Sequence, residues 1–362
     1  CRLLCKPSAL AQHLVWSLGK SSVLWGCCWP WPRWPQLQML QQLLHLPEPQ
    51  PVVARELLQL SDAGLVALDW LVRPRGARSS SGRGSPGSVL LLIPNACGKV
   101  TTELLQLGLR ALEQGFVPIV FNRRGHNGCP LTTPQLQPFG DPRDLREVVT
   151  YLHCRYPSAS LLAVSEGSGS GLLLAYLGES GSSSRLAAAV CISPIFRGRD
   201  WFEAGMPWLY EWPLLLHLKR ELSRYVGSLA EMVDMDRLLG SRSLRELEEA
   251  LFCRTKSHPT SWEAYWDRNE PLRDADEAAV PVLCLCSSDD PVRGPTASSL
   301  PLELFRSSPY FFLLLTQHGG HCGFPWRGLG HYWGHEVVME FFRAMAEFLR
   351  AEEQRKGLLQ PR

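Results

Sequence analysis

A chain of 362 residues, 45% hydrophobic and 20% charged, carries enough apolar material for one large core, or for a core with a cap over it. Its formal charge of +2, from 37 Lys and Arg against 35 Asp and Glu with no dense basic run, lacks the electrostatic footprint of nucleic-acid binding, so no nucleic-acid partner is expected. Small neutral or lipid-like ligands stay open. Twelve cysteines run from Cys1 to Cys322 without a C-x-x-C pair or metal-style Cys/His spacing, which predicts mostly buried thiols and no bound metal.

The chain starts at Cys1 rather than Met, and the expectation is that the true N-terminus is missing, together with any signal or anchor. Localisation is therefore unassigned; a secretory route and membrane association through that segment stay open. Residues 13–35, "HLVWSLGKSSVLWGCCWPWPRWP", are rich in Trp but broken by Lys20 and by prolines, too interrupted for the roughly 20 apolar residues of a membrane span. They suit a membrane interface or an arm packed on the main domain. The expected division is an N-terminal arm over 1–50 and one domain over 51–362.

Next, "QLQMLQQLLHL" predicts a helix, and "LLQLSDAGLVALDWLV" a hairpin turned at Ser61 to Gly64. Residues 73–88, "RPRGARSSSGRGSPGS", have no apolar face and predict a surface loop. From there strands and helices alternate: "SVLLLIP", "TTELLQLGLRALEQG", "FVPIVFN", "DPRDLREVVTYLHCRYP", "SLLAV", "GLLLAYLGE" and "LAAAVCISP". Apolar runs alternating with amphipathic helices predict an α/β fold with a mostly parallel sheet covered on both faces. "VPVLCLCSSDDPV" and "PYFFLLLT" add two strands, the first with Cys284 and Cys286 packed in the core, and "HEVVMEFFRAMAEFLRAEEQ" closes the fold. Over about 196–279 the alternation stops, which predicts a helical cap over the strand ends. Trp201, Trp208, Tyr210 and Trp212 within it would suit the wall of an apolar pocket, although such spacing is commoner in cores.

Acyl transfer by serine requires a nucleophile on a sharp turn, an imidazole, a carboxylate to orient it and N–H groups aimed at the oxyanion. In α/β-hydrolases the order is Ser, acid, His. "CLCSSDDPV" puts Asp289 and Asp290 just after a strand, and "LLLTQHGGHCGF" puts His318 and His321 on a Gly-rich loop after the next. Either motif alone is ordinary turn chemistry. Together, in that order and place, they predict Asp290 as acid and His321 as base, with His318 the weaker choice.

From about Leu57 onward, "SDAGLVALDW", "FNRRGHNGCPLTTP", "SLRELEEAL", "SSDDPV" and "GGHCGF" together resemble the α/β-hydrolase domain-containing proteins related to yeast medium-chain ester synthases and monoacylglycerol lipases. The resemblance implies an α/β-hydrolase fold, chemistry on lipid or carboxylic esters without a cofactor, Asp290 and His321 as triad members, and one oxyanion N–H near Ala96 in "PNACGK". Asn95 stands where that family usually has Gly.

The nucleophile turn is less settled. In "YPSASLLAVSEGSGSGLLLAYLGE" the family flanks are kept, and an ungapped register places the nucleophile position on Gly167 and the glycine before it on Ser165. Local sterics instead favour Ser165, whose neighbours two before and two after, Ala163 and Gly167, are small, whereas Ser168 has Glu166 two before it. Three alternatives follow: a turn without a nucleophile, a nucleophile displaced to Ser165, or Ser168 acting from the next position. A carboxylate at Glu166 would oppose an oxyanion unless solvated or paired. The "GSGSG" cluster lacks the G-K-[ST] of a phosphate loop. Two functions remain: an acylglycerol-type serine esterase using Ser165, His321 and Asp290, or an inactive hydrolase-fold regulator that binds a lipid or a protein partner.

Overall fold

In β4 (Ser88–Ile93), Val89, Leu91 and Ile93 enter one core while Leu90 and Leu92 enter another, the period-two signature of a strand covered on both faces. The computed structural model describes residues 1–21, 52–72, 87–324, 332–355 and 357. The predicted helix over 36–46, most of the Trp-rich stretch and residues 73–86 of the predicted loop lie outside the described residues.

Nine strands form one sheet: β1 (Arg2–Cys5), β2 (Val52–Gln59), β3 (Leu65–Val72), β4, β5 (Val117–Asn122), β6 (Ser160–Glu166), β7 (Leu186–Ile192), β8 (Val282–Ser287) and β9 (Phe311–Thr316), in the order β1-β9-β8-β7-β6-β4-β5-β3-β2. Strands β5, β4, β6, β7, β8 and β9 run parallel; β1, and β3 with β2, are antiparallel edges. The β2–β3 hairpin turns where the sequence predicts it, with Leu60 and Gly64 hydrogen bonded across the bend.

Helices Arg143–Arg155 and Ser170–Ser180 cover one face through Leu145, Val149, Leu173 and Leu177. Helices Ala9–Lys20, Thr102–Glu113 and Trp333–Arg355 cover the other through Leu14, Leu107, Val338 and Phe342. The sequence reading did not foresee β1, which pairs with β9 and leads into a helix lying on the last helix. Cys191, Cys284 and Cys286 are buried free thiols in the sheet.

Between β7 and β8 the chain is helical, with Trp208–Ser223 the longest helix, around a separate core that includes Phe202, Leu222, Leu247, Trp262 and Trp266. Trp208 and Trp212 point outward, 72% and 61% exposed, so of the four expected wall aromatics only Trp201 and Tyr210 face the cavity below. Among the described residues no helix is long and apolar enough to cross a membrane.

Candidate functional site

The turn after β6 is tight because glycines allow it. Gly167 has φ +52°, a region that side chains rarely adopt, and the following turn Gly167–Gly169 feeds straight into the helix Ser170–Ser180. At Gly169 a Cβ would stand 2.0 Å from the Pro94 carbonyl oxygen, so the turn and the loop after β4 meet backbone to backbone. That contact brings Ala96 to the turn.

The loops after β8 and β9 complete the site. Asp289 accepts from the Gly319 and Gly320 amides at 3.1 and 3.0 Å and pairs with His318 Nδ1 at 3.2 Å, fixing the Gly-rich bend. His318 is half exposed. Asp290, 3% exposed, accepts from the Val292 and Arg293 amides at 2.9 and 3.0 Å and holds His321 Nδ1 at 2.9 and 3.1 Å from its two oxygens. Burial alone would lower the His321 pKa, but the Asp290 carboxylate outweighs it and holds the imidazole well above its ordinary value. Burial likewise opposes ionisation of Asp290, and the His321 charge and hydrogen bonds overcome it, keeping that carboxyl below the usual range. The Trp201 indole donates to the Val292 carbonyl at 2.9 Å, tying the helical segment between β7 and β8 to the loop after β8.

His321 Nε2 faces Gly167: a Cβ built on that glycine would lie 2.9 Å from Nε2 and 3.8 Å from Cys322 Sγ. The two serines beside it point elsewhere. Ser165 is fully buried in the sheet, between Ile93 and Cys191, and donates to Ser170 Oγ at 2.9 Å. Ser168 Oγ accepts from the Ala96 amide at 3.0 Å, the N–H expected to face an oxyanion. Glu166 is buried rather than solvated; it accepts from Thr101 Oγ1 at 2.7 Å, and burial, then the nearby Glu103, push its pKa up to about 7.

Above the turn lies a cavity of about 300 Å³ lined by Lys99, Ser168, Trp201, Tyr210, His217 and His321. A smaller chamber of about 60 Å³, sharing Cys97, Ser168, Trp201 and Leu214 with the first, runs under the cap. Sequence reasoning missed the part played by Arg124. Its guanidinium makes two 2.6 Å bonds to Asp144 and one of 2.6 Å to Asp62, joining the loop after β5 to a helix and to the hairpin turn. The signal was present in "FNRRG", which marked the family without saying why.

A parallel sheet with a tight turn after its central strand, and an acid and a histidine on the next strand ends, defines the α/β-hydrolase fold. A puromycin-hydrolyzing peptidase of Mycobacterium tuberculosis shares that fold, at a TM-score of 0.52 and 18% identity, over 83% of this chain and 40% of the other. No family model matches the chain. It is 59% identical over 360 residues to the human Protein ABHD15, covering 99% of this chain and 77% of that one. It is also 31% identical over 303 residues to the mouse Phospholipase ABHD3, covering 81% and 72%. The chain belongs to the α/β-hydrolase domain-containing family, among relatives of lipid-metabolising proteins.

Proposed function

We propose that this protein is a hydrolase-fold binder of a lipid or ester ligand that has lost the serine nucleophile, and that it acts in lipid turnover by binding rather than by acyl transfer. One observation carries the reading: the residue opposite His321 Nε2 is Gly167, while Ser165 is bonded to Ser170 inside the sheet. A nucleophile must reach its base within hydrogen-bond distance, about 2.6–3.2 Å. Ser168 lines the same cavity as His321, which favours it over Ser165 as the second reading, but its hydroxyl occupies the Ala96 amide that an oxyanion needs. The mostly apolar cavity of about 300 Å³ fits an acyl chain, and the phospholipase named among the relatives supports a lipid or ester ligand.

Treating the folded protein with a fluorophosphonate probe and mapping modified peptides tests this. The expected outcome is no labelled serine. Labelling of Ser168 that vanishes in Ser168→Ala and His321→Ala would establish the displaced nucleophile and overturn the reading, as would labelling of Ser165.

A further inference from the structure

The inner chamber is lined by a guanidinium with a buried nitrogen that has no hydrogen-bond partner. Arg123, on the loop directly after β5, is 4% exposed and lines that chamber. Its Nη2 is buried with no hydrogen-bond partner, and among the described residues its side chain makes no ion pair. The adjacent Arg124 is the opposite case, saturated by Asp62 and Asp144.

A guanidinium carries five N–H donors, and leaving it buried and unpaired costs several kcal/mol unless something completes it. Burial pushes the Arg123 pKa down to about 10, which still leaves it charged at neutral pH. The nearby Glu248 and Asp144 carboxyls oppose that lowering, but among the described residues neither is within ion-pair distance of Arg123. Glu248 is the acid of the lining, but it is tied to the Tyr265 hydroxyl, and burial pushes its pKa up to about 7. His126 is held neutral, its pKa pushed down to about 4 by burial. Gln137 Oε1 is also buried without a hydrogen-bond partner. The remaining lining is largely apolar, Phe139, Phe202 and Leu251 among it.

We propose that this chamber is an anion subsite, in which Arg123 seats the carboxylate of a single-chain amphiphile whose tail lies in the larger cavity. The proposal rests on the lipid-binding reading above and names the ligand class for it. A planar carboxylate matches the fork of a guanidinium in two parallel hydrogen bonds, and one negative charge balances one positive charge. A phosphomonoester would bring close to two negative charges against the single positive charge of Arg123. The chamber of about 60 Å³ has room for a head group, and the 300 Å³ cavity that shares its wall takes the chain.

Isothermal titration of the full chain with laurate, dodecanol, 1-monolauroylglycerol and dodecyl phosphate, each below its micelle concentration, tests the assignment. Laurate is expected to bind about tenfold or more tighter than dodecanol. In Arg123→Gln and in the volume-matched Arg123→Met that preference disappears while dodecanol still binds and the melting temperature of the ligand-free protein does not fall. Equal affinity for laurate and dodecanol in the parent, which needs no variant to fold, overturns the proposal, as does a preference that survives in folded Arg123→Gln. Tighter binding of dodecyl phosphate overturns the carboxylate. If dodecanol or monolauroylglycerol binds without a laurate preference, the subsite alone fails; if none of the four binds the folded chain, the lipid-binding reading fails with it.

Discussion

The Cβ position of Gly167 lies 2.9 Å from Nε2 of His321, where the hydroxyl of a nucleophilic serine would need to approach. The histidine, its acid partner and the sharp turn are all in place around a residue with no side chain.

Gly167→Ser is therefore expected to create fluorophosphonate labelling that the parent lacks, and Gly167→Ser combined with His321→Ala to lose it. The substitution is not free. A non-glycine residue at φ +52° costs on the order of 1 kcal/mol, and His321 must shift slightly to admit a Cβ. A folded Gly167→Ser variant that stays unlabelled would indicate that the Ala96 amide, already bonded to Ser168, does not serve an oxyanion. In that event Gly167→Ser with Ser168→Ala is the variant to label.

Glu166 gives a pH-dependent prediction. Its folded pKa of about 7 is above the ordinary carboxyl value of 4.5, so the unfolded chain gives up this proton first. The sign follows: burial of Glu166 subtracts nothing below about pH 4.5, and its penalty grows as pH rises, reaching its full size above pH 7. Glu166→Gln keeps an oxygen for the Thr101 hydroxyl and removes the charge. It is expected to be more stable than the parent at pH 8, by about 3 kcal/mol at most, and equal to it near pH 4. Denaturant titrations of both proteins at the two pH values measure the difference, and a constant difference across pH would rule out the charge as its source.

Arg124 is expected to be a structural cornerstone. Arg124→Ala leaves Asp144, which is as buried as the arginine, without its countercharge. Breaking a buried pair in this way costs about 3–5 kcal/mol, and Arg124→Lys recovers only part of it because an ammonium cannot repeat the two parallel bonds. Urea denaturation of the three proteins would show it; a loss below about 1 kcal/mol in Arg124→Ala would mean that water replaces the guanidinium.

Much of this site was legible because it follows from residue order. Asp290 and His321 were marked by their place after consecutive strands, and their hydrogen bond is found at that place. The buried strands were legible because runs such as "VLLLI" and "LCLC" leave no polar face. What the sequence left open was the turn, because a shift of one or two residues along "AVSEGSGSG" changes which side chain meets the histidine without changing composition. The register was decided by backbone contacts, Ser165 paired across to Ile93 and Cys191 and Gly169 pressed on Pro94, and such contacts have no local signature. Strand β1 was hidden for a related reason: four residues, "RLLC", are too few for a periodicity, and only pairing with β9 makes them a strand. The unpaired Arg123 was invisible beside its saturated neighbour, since "RR" reads as two equal charges.

The Asp290–His321 pair makes the last prediction. The imidazole gains a carboxylate on folding, so its pKa is raised above the ordinary 6.5, and the stability from pairing is present in full below pH 6.5 and is lost as pH rises through the higher folded value. Asp290→Asn removes the charge but keeps an oxygen toward Nδ1, so the histidine pKa is expected to fall toward 6.5, because burial is then opposed only by the neighbouring Cys322 thiol. The loss of the charged pair, with the Val292 and Arg293 amides bonded to a weaker acceptor, is expected to destabilise the protein by about 1–3 kcal/mol near pH 6. The gap between parent and Asp290→Asn should then narrow as pH rises past the parent's histidine pKa, since a neutral imidazole no longer draws on the carboxylate charge. NMR titration of the His321 ring proton in both proteins reads the pKa directly, and denaturation at pH 6 and pH 9 reads the stability. A His321 that titrates near 6.5 in the parent would mean that water screens the pair, and the stability gap would then be independent of pH above neutrality.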